Sequence, residues 1–187
     1  MDREVAVADH PVTDGKTCLV FKWAGPPPPR RDSESSHYTL VHWRPTLFSR
    51  HPAGDARPVL LVWWLFHSLR IFANREYGQL VIYDGEKLIH RSATFPGWQR
   101  FPFMEKADLQ IGDTWTHPEY RGRGLASIAI REILRQSAGN GRTFWYIAAA
   151  ENLASIKAAQ RAGLRSAGGA VRRSRFGCRM LGSFQLT

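Results

Sequence analysis

Cysteine, long apolar runs and acidic side chains are all scarce in this sequence, and each scarcity removes a class of protein. Only two cysteines occur among 187 residues. Cys18 and Cys178 lie far apart, with the spacing of neither a metal site nor a disulfide framework; no metal is expected, and a reducing, cytoplasmic location is. The longest apolar run, Val59 to Phe66, has eight residues, too few to span a bilayer. It reads as a buried helix behind Pro58; the other reading is a surface for a membrane or a partner helix. The start, Met-Asp-Arg-Glu, lacks a basic stretch followed by an apolar one and does not read as a secretory leader. No internal repeat is present.

Acidic residues run out towards the C-terminus. From Glu119 onward 12 Arg and Lys stand against 3 Glu, whereas residues 1–118 hold 14 basic and 13 acidic side chains. Nearly all of the formal net charge of +10 therefore belongs to the second part. Such a field attracts an anion over a long range. Nucleic acid is the obvious rival, since a basic balance is also its footprint. Without an RNA-binding signature or a helix-turn-helix pattern, it is not expected as the main partner. With 43% hydrophobic and 12% aromatic residues, the chain can bury one substantial core.

Within the basic part, His117-Pro-Glu-Tyr-Arg-Gly-Arg-Gly-Leu-Ala126 stands between a strand-like run, Leu109 to Thr116, and a helix from Leu125 to about Gln136. Gly122 and Gly124 remove β-carbons that would keep a ligand off the backbone. The amides of Arg121 to Ala126 then meet a helix N-terminus, where unpaired N–H groups and the dipole favour an anion. The turn predicts a phosphate-bearing ligand. It is not a P-loop, because Leu125-Ala126 follow Gly124 where Lys-Ser/Thr is needed. It is not a dinucleotide fingerprint either, lacking three spaced glycines and an acidic residue about twenty positions on.

A second segment follows about thirty residues later. Thr143 to Ala148 is β-branched and aromatic, as a buried strand is. It leads through Glu151-Asn152 into an alanine-rich helix carrying Ser155, Ala158 and Ala162, with Gly163 placed as C-cap. Together the two segments resemble motifs A and B of the GCN5-related N-acetyltransferase (GNAT) superfamily. Motif A, Arg/Gln-x-x-Gly-x-Gly/Ala, reads here Arg121-Gly122-Arg123-Gly124-Leu125-Ala126, with Pro118 ahead of it. Motif B is matched by Asn152, Ser155 and the spacing to Gly163-Leu164.

The resemblance implies that amides of residues 121–126 hold the pyrophosphate of acetyl-coenzyme A, with Trp115 and Thr116 flanking the thioester. It also implies that Asn152 and Ser155 bind the pantetheine arm or the leaving sulfur. The residue-level alternative for Asn152 is a plain helix N-cap. One departure stands out. Many family members carry a tyrosine four residues before the helix-ending glycine, as acid for the departing thiolate, and that position is Ala159 here.

Acyl transfer to an amine also needs a route for the amine's proton and a donor for the oxyanion, which a strand amide can supply. Regular alternation puts Leu109, Ile111, Asp113 and Trp115 on one face of their strand and Asp108, Gln110, Gly112, Thr114 and Thr116 on the other. Asp113 thus reads as a carboxylate on an apolar face, with a raised pKa suited to a base. It also matches, eight residues before Arg121, an aspartate that faces the acceptor amine in related aminoglycoside 6′-N-acetyltransferases. The competing reading pairs it with a neighbouring arginine. Asp108 is a second candidate, expected to be solvated at the strand end. His90, at the end of a hairpin, has a suitable intrinsic pKa, although a lone histidine is more often structural.

The fold expected is α/β (α+β), a single GNAT-like domain over residues 37–187 with a mixed, mostly antiparallel sheet flanked by helices. Residues 1–36 read as an N-terminal extension in which Thr17 to Trp23 forms a strand and Gly25 to Ser36 a Pro-rich linker. Tyr38 to Trp43 reads as a strand and Pro58 to Asn74 as a helix. Gly78 to Tyr83 and Lys87 to Ala93 read as a hairpin with an Asp84-Gly85 type I′ turn. Phe95-Pro-Gly97 and Phe101-Pro-Phe103 read as an aromatic loop fit to line a pocket or cap the core. Ala170 to Arg175 and Arg179 to Gln185 close the chain as strands around Phe176-Gly177. The expected activity is transfer of an acetyl or other acyl group to a small-molecule amine such as an amino sugar, an anionic or nucleotide-linked one included. Protein lysine or N-terminal amines, a non-catalytic acyl-CoA-binding regulator, and aminoacyl-tRNA-dependent transfer are the alternatives. Oligomeric state stays open, a homodimer included.

Overall fold

The computed structural model describes residues 13–29, 37–139, 141–175 and 178–187. Eight strands form one sheet: β1 (Thr13–Trp23), β2 (Thr39–Trp43), β3 (Gly78–Asp84), β4 (Lys87–Pro96), β5 (Leu109–Thr116), β6 (Phe144–Ala149), β7 (Arg165–Arg175) and β8 (Cys178–Leu186). Their order across the sheet is β2-β3-β4-β5-β6-β1-β7-β8. Every neighbouring pair is antiparallel except β5 and β6, which the connecting helix α2 (Leu125–Ser137) makes parallel. Helix α3 (Leu153–Arg161) follows β6, and α1 (Val59–Ser68) lies between β2 and β3. The expected mixed α/β architecture is therefore present.

Two features differ from the sequence reading. The strand expected within an N-terminal extension is longer and sits inside the sheet, paired with β6 on one side and β7 on the other. Residues 13–23 are thus part of the domain's framework and not an appendage. Of the rest of that extension, residues 1–12 and 30–36 lie outside the described residues, as do Phe176 and Gly177. The β3–β4 hairpin closes Asp84 against Lys87, so the loop is Gly85-Glu86. Gly85 has φ +58° and Glu86 does not share a positive φ, the pattern of a type II′ turn and not the I′ turn expected.

The helix expected over 58–74 is shorter, ending where Leu69 and Arg70 turn, Arg70 at φ +58°. Its Leu60, Trp63 and Phe66 pack inward while Leu61 and Leu65 face solvent, so the apolar run is covered on one side only. Among the described residues no helix is long and apolar enough to cross a membrane. On the opposite face of the sheet, α2 buries Leu125, Ala129, Ile130, Ile133 and Leu134 against β3, β4 and β5. These positions recur at helical spacing and form one stripe.

Candidate functional site

The geometry starts with a parting of strands. β5 and β6 pair only through Leu109–Phe144, Gln110–Trp145 and Ile111–Tyr146; beyond Ile111 the two diverge. A β-bulge in β5 accompanies the parting. Arg91 of β4 faces Trp115 and Ala93 faces Gly112, so Ser92 opposes two residues, Asp113 and Thr114. Asp113 takes up the extra residue with φ +48°, a left-handed conformation that aspartate tolerates better than most side chains.

The bulge overturns the expected strand faces, because one inserted residue exchanges every side chain after it. Leu109 and Ile111 lie in the core beneath α2, and Thr114 and Thr116 join that side. Trp115 turns to the other, where the Arg91 guanidinium stands 4.5 Å from its ring. Asp113 is consequently not on the apolar face. Its side chain is 29% exposed and pairs with Arg57, Nη1 donating to Oδ1 at 2.9 Å and Nη2 to Oδ2 at 2.7 Å. Arg57 also donates to buried Asp55 at 2.7 and 2.8 Å. Burial alone would raise the Asp55 carboxyl, but the hydrogen bonds and charge of Arg57 outweigh it and hold it below the usual carboxylate range. The ion-pair reading of Asp113 is the one realised.

On the α2 side of the parting, β5 enters a single 3-10 turn, Pro118–Tyr120, and then the glycine loop. Gly122 and Gly124 have φ +80° and +78°; both glycines are required by backbone conformation, and a Cβ on Gly122 would meet nothing within 4 Å. Ile128 N–H makes the first bond of α2 to Gly124 O, leaving the first-turn amides of Leu125, Ala126 and Ser127 without an intrahelical acceptor. They border a cavity of about 230 Å3 shared with α3. Arg121, Gly122, Gly124, Leu125 and Ala126 line it, as does Thr116. Arg123 instead lies over the Tyr120 ring at 4.7 Å, and Trp115 lines neither this cavity nor the one described next.

The α3 wall of the cavity is Ala154, Lys157, Ala158 and Arg161. Sequence reasoning missed Lys157 and Arg161. Their signal was available: spacings of three and four put two small residues and two cations on one helix face. The small residues let the helices approach, and the cations add positive charge to amides that already favour an anion. Unpaired amides, left-handed glycines and Arg121, Lys157 and Arg161 together fit the pyrophosphate of coenzyme A.

On the other side of the sheet lies a larger cavity of about 360 Å3. Gly112 and Asp113 of β5 and Ile147 and Ala149 of β6 border it, so it opens to the parting from below. Its walls are Trp63 of α1, Phe95, Trp98 and Phe101 from the end of β4 and the loop after it, and Phe184 of β8. Of the aromatic segments, Phe95 and Phe101 line this cavity and also belong to a buried aromatic core, against which Phe103 packs.

The remaining two candidate bases are structural. Asp108 is not solvated: it is 4% exposed. Its carboxylate accepts from Glu105 N–H at 3.1 Å, Thr143 N–H at 3.0 Å and Trp145 Nε1 at 2.9 Å. It fastens the closed end of β5 and β6, away from the parting. His90 is fully buried between Thr116 Oγ1, 2.8 Å from Nδ1, and Ser92 Oγ, 3.0 Å from Nε2. Burial first, then the charge of Arg91, push its imidazole down to about 3. It is neutral near pH 7, and its intrinsic suitability as a base is lost.

The sequence profile of the acetyltransferase (GNAT) family matches residues 32–164. This chain belongs to that family. No curated protein matches it in sequence. Among solved structures, a protein from Novosphingobium aromaticivorans assigned to the GNAT family is similar at TM-score 0.54 and 17% identity, over 84% of this chain and 63% of that one. A GNAT acetyltransferase from Colwellia psychrerythraea is similar at TM-score 0.52 and 15% identity, over 96% and 59%. A tandem GNAT protein of the clavulanic acid biosynthesis pathway follows at 0.50 and 16%, over 83% and 52%. This chain thus spans about three fifths or less of the length of these proteins.

In this GNAT protein the motif B residues take structural roles. Asn152 caps α3, its side chain accepting from Ser155 N–H at 3.1 Å, so the plain N-cap reading describes what its oxygen does. Neither residue lines the α2–α3 cavity. Ala159, where many GNAT proteins carry tyrosine, is fully buried in the core and offers no acid.

Proposed function

We propose that this GNAT chain is an acyl-CoA-dependent N-acyltransferase, most simply an acetyltransferase, acting on a small-molecule amine. The observation that carries the reading is a pair of cavities on opposite faces of the sheet, one bordered by Thr116 at the free end of β5 and the other by Gly112, Asp113, Ile147 and Ala149 at the parting of β5 and β6. The groove between α2 and α3 takes the phosphate end of the thioester substrate, and its acyl end reaches the parting. The cavity under α1 admits the amine. Past Ile111, β5 has no partner strand on that side, so its amides are available to a developing oxyanion.

The amine nitrogen attacks the thioester carbonyl directly. A C–N bond forms, the C–S bond breaks, and the thiolate leaves with coenzyme A. Attack requires the neutral amine. Asp113 is the one carboxylate lining the acceptor cavity among the described residues. Held by Arg57, it attracts and orients the incoming ammonium, which loses one proton to water before attack; the second proton leaves the nitrogen as the amide forms and passes through water to the thiolate. No acid is needed where a thiolate already leaves readily.

Thiol release from acetyl-CoA across a panel of amines tests this. Asp113→Asn keeps a side chain that tolerates a left-handed backbone while removing the charge, so KM for the amine should rise with fold intact. A second reading, a regulator that binds acyl-CoA without turnover, draws on the buried Ala159 and the engaged Asp113. Coenzyme A binding with no thiol release on any amine would favour it.

A further inference from the structure

We infer that the acceptor carries its amine on a flat, apolar, aromatic body, one ring or a fused pair joined to the amine by a short chain. The inference rests on the acyltransferase reading above and assigns its substrate class. The walls carry the argument. Trp63 meets Phe95 edge-on at 5.1 Å and Trp98 at 5.9 Å, and Phe101 stacks on Phe184 at 5.8 Å. These rings hold one another, so the cavity has a fixed shape lined by faces and edges that suit another ring.

Size points the same way. A dry cavity of roughly 150 Å3 holds a benzene ring, so about 360 Å3 accommodates a ring or bicycle together with a short chain. An alkylamine would leave most of that volume unfilled.

Polarity excludes the rival classes. An amino sugar brings several hydroxyls, each needing a partner once out of water. The polar side chains at the cavity are Cys18, Arg100, Gln110 and Asp113, and the last three are already engaged; the Arg100 guanidinium lies over the Trp98 ring at 5.4 Å. Gln110 donates Nε2 to Ile111 O at 2.7 Å, and both oxygens of Asp113 are held by Arg57. A polyamine would need several carboxylates, and Asp113 is the single one lining the cavity among the described residues. The register orients the ligand. Gly112 and Asp113 mark the parting, whereas Phe95 lies opposite Gln110 towards the closed end of β5. The amine is therefore placed at Asp113 and the ring among Trp63, Trp98 and Phe101.

The test compares 2-phenylethylamine, propylamine, glucosamine and a lysine peptide as acceptors for the full chain, reading thiol release from acetyl-CoA. Phenylethylamine should exceed propylamine in kcat/KM by at least about tenfold, the discrimination an apolar pocket gives for several added carbons. Val59→Phe, at a half-exposed position on the cavity rim, narrows the cavity without burdening the core. It should lower the phenylethylamine-to-propylamine ratio several-fold. Preference for glucosamine, propylamine or the peptide, or a ratio unmoved by Val59→Phe, overturns the aromatic assignment and leaves the acyltransferase reading standing. Bound coenzyme A with no thiol release on any amine overturns both.

Discussion

Asp108 offers the sharpest test, because a base and a structural clamp respond oppositely when it is changed. Its carboxylate takes three N–H donors at 2.9–3.1 Å, from the loop before β5, from the start of β6 and from an indole. Hydrogen bonds to a charged group contribute about 1.5–3 kcal/mol each, and donors left buried without a partner carry a penalty of their own. Oδ1 serves Thr143 alone, while Oδ2 serves Glu105 and Trp145. Asp108→Asn, turned to keep oxygen at Oδ2, loses one bond and sets an NH2 group against Thr143 N–H. That amounts to roughly 1.5–3 kcal/mol. Asp108→Ala strips all three donors, and with partial solvent rescue the loss is about 3–5 kcal/mol. At about 2–4 °C per kcal/mol for a chain of this size, Tm falls by roughly 3–12 °C for Asn and 6–20 °C for Ala. Thermal unfolding by circular dichroism measures this, and kcat is read well below the lowered midpoint. The clamp predicts a graded fall in Tm, Ala below Asn, with kcat per folded molecule near wild type. An unchanged Tm with kcat reduced by a hundredfold or more, the scale of a lost general base, would make Asp108 a base and not a clamp.

Two other predictions concern the loop and His90. Gly122→Ala places an L-residue at φ +80°, at about 1–2 kcal/mol of backbone strain. Coenzyme A binding by calorimetry should therefore weaken about 5–30-fold, and less for Gly122→Asn, which tolerates that conformation. Equal losses for both would mean that side-chain bulk, not backbone, matters there. His90 has a folded pKa pushed down to about 3 against an unfolded value of about 6.5. Its neutral burial is fully tolerated above pH 6.5, and stability drains as pH falls from there towards 3, by up to about 1.4 kcal/mol per pH unit. Urea unfolding of wild type and of His90→Gln, which cannot titrate, should converge between pH 7 and pH 4.5. Parallel loss in both would remove His90 as the cause.

The glycine loop and its unpaired helix amides were readable because their parts are contiguous. Gly122, Gly124 and the start of α2 lie within a few residues of one another, and unpaired helix amides need no distant partner to exist. The α3 wall was half readable: the motif pointed to Asn152 and Ser155, whereas the stripe holding Lys157 and Arg161 gains meaning only once α3 packs beside α2. Asp113 illustrates the opposite limit. Alternation along β5 was counted as regular, and the bulge that breaks it depends on the register with β4, to which Ser92 belongs. The arginine that engages Asp113 lies 56 residues away. The donors that bury Asp108 come from as far as 37 residues along the chain.

By itself, then, the sequence determined the local devices: a glycine loop at a helix start, an alanine-rich helix with its caps, a basic second half and a set of aromatic loop residues. Those properties follow from near neighbours in the chain, from φ preferences and from the spacing of a helical turn. Only the tertiary structure decided which candidate carboxylate borders the cavity under α1, that His90 is too buried to be a base, and that β1 belongs inside the sheet. Each of these depends on desolvation or on pairing across the sheet, and both are set by groups that meet only when the chain has folded.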